Sequence, residues 1–263
     1  MSVVAEAQAE HALLALGLSH AAGHLDTVAQ QAAAENWSYS HFAGILLRGE
    51  IEERRRKRAS LNLKFANFPT IKRLEDFDYS AQPSIDRRLL DELATGRYLA
   101  EGRNIILQGP PGVGKTHIAI ALAVLVAEAG NRVYFTSAMD LARKLTKAVD
   151  SNSLHRELNA LQQPKVVIID EVGYLPFDAV QASLLFQVIC RRYQKNQPMI
   201  LTSNKAFGEW GDVFGNDPVM ASAALDRLLH RSTIINIRGE SYRLREKRQA
   251  GIMKQVNPAH TAL

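Results

Sequence analysis

Gly109-Pro110-Pro111-Gly112-Val113-Gly114-Lys115-Thr116 is the stretch whose reading decides the fold. It satisfies the phosphate-loop pattern G-x-x-x-x-G-K-[ST] at every defined position. The apolar run Asn104-Ile105-Ile106-Leu107 before it has strand character. The run from Ile118 to Leu125 after it has the pattern of a buried helix. Strand, glycine loop and helix in that order aim backbone N–H groups and a helix N-terminus at one point, which suits a polyphosphate. The glycines let the backbone approach without a Cβ in the way. In that frame Lys115 reaches the β- and γ-phosphates and the Thr116 hydroxyl ligates Mg²⁺. A plain Gly-Pro turn is the competing reading, and the matching flanks on both sides argue against it.

Downstream, strands and helices alternate. Arg132–Thr136 reads as a second strand and Met139–Val149 as a helix with Leu141 and Leu145 on one face. Pro164 introduces Lys165–Asp170, a third strand. Ala179–Gln194 reads as a helix, Pro198 introduces Met199–Thr202 as a fourth strand, and Ser232–Ile237 as a fifth. The unbroken apolar run in the third strand marks burial on both faces, hence a mostly parallel sheet with helices on either side. Asp170 and Glu171 end that strand, at the sheet edge that carries the phosphate loop. Asp170 is suited to hold Mg²⁺, directly or through water, and Glu171 to orient and activate a water against the γ-phosphate. Asn204 can touch the γ-phosphate or that water, or simply serve a turn. Arg227 can spread two donors over a transferring phosphoryl group as an arginine finger, or sit in a surface salt bridge. Its neighbour Asp226 does not face it on a helix.

Residues 1 to about 60 read as three helices. Leu13, Leu14, Leu16 and Leu18 give the first apolar face, ending near Gly23. Asp26 caps a second over Thr27–Asn36, and Phe42, Ile45, Leu46 and Leu47 belong to a third. The size is that of many DNA-binding and docking domains. Arg54, Arg55, Arg56, Lys57 and Arg58 follow, five consecutive cations suited to phosphates. The alternative is a solvated helix face in which Glu50, Glu52 and Glu53 pair with the arginines. Residues 60 to 85 read as a linker whose Phe65, Phe68, Phe77 and Tyr79 either contact adenine or pack on the core. Asp86–Ala100 reads as a helix.

The net charge of +5 and pI near 9.3 hint at a polyanionic partner. No apolar run is long enough to cross a bilayer, and the N-terminus lacks a signal pattern. The one cysteine, Cys190, rules out an internal disulfide, fits the cytosol, and reads as core filler rather than a nucleophile.

The stretches GPPGVGKTHIAIALA, VVIIDEVGYLPFD, TSNKAFGEW, VFGNDPVMASAALDRLLHRS and GESYRL resemble those of the IstB family. These are AAA+ ATPases that accompany insertion-sequence transposases and are related to the helicase loader DnaC. The resemblance runs from about residue 10 to 248. The helical N-terminus, the basic run and the segment LEDFDYSAQPSID resemble IstB rather than the loaders. It implies an α/β fold: a helical N-terminal domain over 1–60, a linker and lead-in helix over 61–100, an AAA+ P-loop core with a five-stranded sheet over 101–248, and a tail over 249–263. No full C-terminal lid is expected.

The resemblance further implies ATP and Mg²⁺ as cofactors. Gly109–Thr116 with the adjoining His117 corresponds to Walker A, Asp170-Glu171 to Walker B, and Asn204 to sensor 1. Arg227 corresponds to the arginine inserted by a neighbouring subunit, and Arg243 to the sensor 2 position. The implied function is an ATP-dependent regulator of transposition in the cytoplasm. It multimerises on duplex DNA and presents it to a cognate transposase, which performs strand transfer. A replicative helicase loader and a small-molecule kinase are the rivals. Asp170-Glu171, Asn204 and Arg227 together argue for hydrolysis in an assembly.

Overall fold

The computed structural model describes residues 3–242 and Leu244. The chain forms two units, one up to Leu61 together with Glu128–Gly130, the other beginning at Asn62. The first holds α1 (Val3–Ala15), α2 (Ser19–Ala34) and most of α3 (Tyr39–Phe65). Its core is Ala21, Leu25 and Leu46, with Leu13, Leu18, Val28 and Phe42 packed around them. The expected Asp26 cap is wrong, because α2 begins seven residues earlier, at Ser19. The early amides of a helix lack intrahelical partners. Here they are served from α3: Glu50 Oε2 accepts from the N–H groups of His20 at 2.9 Å and Ala21 at 3.1 Å. With its carboxylate so engaged, Glu50 stays buried. These amide bonds, that from Ala21 above all, and the Arg54 guanidinium hold its pKa below the usual carboxylate value.

In the second unit, Asp86 caps α4 (Arg87–Ala94) by accepting from the Arg88 N–H at 2.9 Å. The single helix expected over Asp86–Ala100 breaks at Gly96, whose φ of +74° suits glycine, and resumes as α5 (Arg97–Glu101). Then follow β1 (Asn104–Gln108), α6 (Lys115–Glu128), β2 (Val133–Ser137), α7 (Ala138–Asp150), α8 (Leu154–Ala160), β3 (Val166–Val172), α9 (Ala179–Gln194), β4 (Met199–Ser203), α10 (Trp210–Val213), α11 (Pro218–Leu229) and β5 (Ser232–Asn236).

The five strands form one sheet in the order β2-β3-β4-β1-β5. Every pairing is parallel. Successive side chains of a strand face opposite layers. Ile105, Leu107, Val166, Ile168 and Ile200 join α4 and α6 in one core. Ile106, Val167, Ile169, Met199 and Leu201 join α7, α9 and α11 in the other. That two-sided burial explains the apolar composition of β3 and β4.

Behind the sheet, Arg192 of α9 is fully buried. It donates to the carbonyls of Leu161 (2.7 Å), Pro164 (3.3 Å), Lys165 (3.2 Å) and Pro198 (2.9 Å), tying together the chain just ahead of β3 and β4. Burial pushes its pKa down to about 9, which still leaves the cation intact at neutral pH. Among the described residues no helix is long and apolar enough to cross a membrane. Cys190 is half-buried on α9, and burial raises its pKa, as suits packing rather than attack.

Candidate active site

The phosphate loop leaves β1 at Gly109 and closes on the first turn of α6. Gly114 has a φ of +95°, and a Cβ there would lie 2.6 Å from the Phe77 ring, so only glycine lets the two segments touch. Phe77 meets His117 and Tyr79 edge-on at 5.2 Å in each case. His117 donates from Nε2 to the Arg73 carbonyl at 2.8 Å. Of the aromatics ahead of the loop, Phe77 both fills the core and lines the site. Phe68 instead packs against Phe135. Lys115 Nζ donates to the carbonyls of Gly109 and Pro110, both at 2.7 Å. Burial lowers its pKa, while the nearby Asp170 and Glu171 carboxylates oppose that shift.

Thr116, in the first turn of α6, meets the end of β3. Its hydroxyl lies 2.9 and 3.1 Å from the two carboxyl oxygens of Asp170. A hydroxyl and a carboxylate this close are the hard oxygen donors Mg²⁺ takes, so these two residues fit the ion. β3 runs to Val172, two residues beyond the expected end, through a register shift against β4 between Ile169 and Val172. Within that shift Glu171 adopts a φ of +60°. Its side chain is exposed and lines a cavity of about 730 Å³. That volume lies within the roughly 300–1,000 Å³ of small-molecule sites. The cavity is also lined by Lys115, Thr116, His117, Thr202 and Asn204. Its far wall is the linker, Pro69–Lys72 with Phe77 and Gln82, and Tyr242 closes one side.

The structure therefore gathers Pro111–His117, Glu171 and Asn204 around one space, with Asp170 bonded beside it. Asn204 follows the last residue of β4. Arg227 stands elsewhere, half-buried on α11, donating to the Ala223 carbonyl at 2.7 Å with its guanidinium 5.3 Å from the Phe186 ring centre. Arg243 lies outside the described residues. The five cations lie on α3 and are not equivalent. Arg54 bonds Glu50 at 2.7 Å and the Gly17 carbonyl at 2.8 Å. Arg56 and Lys57 pair with Glu53. Arg55 and Arg58 project from the helix, exposed. Sequence reasoning missed Thr202. The available signal was a hydroxyl within a strand buried at every position, where a polar group needs a partner.

The family profile described as IstB-like ATP binding protein matches residues 11–250. The protein named as the ATP-binding protein of insertion sequence IS21 in Pseudomonas aeruginosa is 46% identical over 244 residues, covering 92% of this chain and 91% of that one. Its counterpart of insertion sequence IS5376 in Geobacillus stearothermophilus is 47% identical over 221 residues, covering 84% of this chain and 87% of that one. Among solved structures, the DnaC helicase loader superposes with a TM-score of 0.51 at 21% identity, over 66% of this chain and 96% of that one, a likeness of fold. With a phosphate loop after β1, an acid pair at the end of β3 and a family match across nearly its whole length, the chain belongs to the IstB-like ATP-binding proteins and carries its phosphate loop on a parallel α/β core.

Proposed function

We propose that this chain is an ATP-hydrolysing, DNA-binding regulator of transposition whose active site is completed by a second copy. One observation carries the reading. Lys115, Thr116, Glu171 and Asn204 converge on one cavity, with Asp170 bonded to Thr116, while the arginine suited to finish the site is not among the lining residues and bonds the Ala223 carbonyl on its own helix α11. The Gly112–Thr116 backbone and Lys115 would cradle the phosphates of ATP. Thr116 and Asp170 would hold Mg²⁺, which when bound supplies positive charge against the β- and γ-oxygens. Glu171 orients a water and takes its proton as the water oxygen adds to the γ-phosphorus. The bond from that phosphorus to the β–γ bridging oxygen breaks, and ADP departs with that oxygen. Asn204 holds the γ-oxygens or the water by hydrogen bonds.

Arg227 of an adjacent copy would spread its donors over the transferring group. Assembly and hydrolysis are then linked, and the basic helix α3 gives the assembly a grip on duplex DNA through phosphates. The names of the relatives support an insertion-sequence setting, with a cognate transposase as the partner that performs strand transfer.

Mixing tests the shared site. R227A and E171Q subunits should each be inactive alone. Mixed equally with ATP and duplex DNA, they should regain about a quarter of wild-type turnover, the share of interfaces that random assembly completes. A mixture as silent as its parts would remove the shared site. Assembly on single strands with a replicative helicase, and none on duplex, would turn the reading to a loader.

A further inference from the structure

Two adjacent residues of a regular strand face opposite ways. Asp170 and Glu171 are adjacent, yet both serve one site: Asp170 meets Thr116 and Glu171 lines the cavity. The backbone manages this through the register shift in β3 and the φ of +60° at Glu171, a conformation that residues other than glycine seldom adopt. The neighbouring strand supplies the support. Thr202 of β4 is 1% exposed. Its hydroxyl accepts from the Glu171 N–H at 2.9 Å, the amide that the register shift takes out of the ladder, and donates to Asp170 Oδ1 at 2.6 Å. One hydroxyl has a single proton to give and lone pairs to receive, so both roles are filled. Ser203 Oγ donates to the Val172 carbonyl at 2.7 Å and secures the far side of the shift.

We propose that Thr202 is the positioning residue of the acid pair, whose hydroxyl aims the Asp170 carboxylate at Thr116 and holds the turned Glu171 backbone that brings the second carboxylate into the cavity. The inference rests on the reading of this cavity as an ATP-hydrolysing site. In this role Thr202 acts through its bonds to Asp170 and Glu171.

The test uses the full chain as T202V, which keeps the shape and removes both bonds, and T202S, which restores the hydroxyl. Two readouts are taken. In titrations of a fluorescent non-hydrolysable ATP analogue, T202V should need about 10–100-fold more Mg²⁺ for half-maximal binding, while affinity without Mg²⁺ stays at the wild-type value. In turnover, kcat should fall by about 10–100-fold with KM for ATP within about threefold of wild type. T202S should return both to within about threefold of wild type. A hydroxyl that merely filled the core would lower active fraction and binding capacity together and leave the Mg²⁺ midpoint unmoved; that result overturns the proposal. Should T202V not fold, T202C fills the same space with a weak donor and carries the same readouts. If wild type turns over ATP, K115A does not, and T202V matches wild type in both measurements, the positioning role fails and the ATPase reading stands. If wild type binds the analogue without turnover, the ATPase reading fails, and the Mg²⁺ midpoint alone decides the role of Thr202.

Discussion

Lys115 and Glu171 face the same cavity, and the proposed reaction gives them different moments, so their substitutions should separate. K115A removes a charge-assisted contact worth roughly 1.5–3 kcal/mol, and nucleotide affinity should fall about 10–100-fold in a fluorescence titration. E171Q keeps the contact and loses the proton acceptor. Affinity should hold while turnover drops by roughly 10²–10⁴, read as phosphate release. These residues were legible because loop, lysine, hydroxyl and acid pair are written contiguously at Gly109–Thr116 and Asp170-Glu171. Thr202 and the Phe77 ring over Gly114 were not, because their partners are distant in the chain: Thr202 meets Asp170 across 32 positions. A hydroxyl's partner is set by strand pairing, which the sequence states only indirectly.

Among the elements, α9 and α3 carry the two expectations that reach beyond the site. Arg192 leaves four carbonyls without a partner when it is removed. R192M should lower unfolding free energy by about 3 kcal/mol in urea titrations, with ATP affinity of the folded fraction unchanged. On α3, Glu50 caps a helix other than its own. Its folded pKa lies below the usual 4.5. Its stabilising contribution is therefore complete above pH 4.5 and is lost as pH falls through the lower folded value. E50Q should speed hydrogen exchange at the His20 and Ala21 amides at neutral pH and flatten the acid dependence that wild type shows there. The core strands and the span of α9 were legible from their apolar runs, with Pro198 marking the start of β4, whereas the Asp178 cap of α9 emerged only from the structure. The start of α2 did not, since its cap comes from thirty residues on. The short α8 and α10 carried too few turns to leave a period.

For the whole molecule, a net charge of +5 describes a field, and α3 shows how little of its basic run is free to meet a polyanion. Arg54 is bound into its own unit and Arg56 and Lys57 share Glu53. R55A together with R58A should reduce the slope of log K against log salt for duplex binding by about 2, one step per lost phosphate contact. R54A should act chiefly through loss of thermal stability. The strand order has a consequence of its own. β4 lies between β1 and β3, so the tip that grips nucleotide and the tip that bears the carboxylates are joined through a ribbon of five residues. Removing one residue from that ribbon would slip its pleat and turn Thr202 and Ser203 to the wrong layers at a stroke. A chain so shortened would keep both ends of its machinery intact and lose the conversation between them.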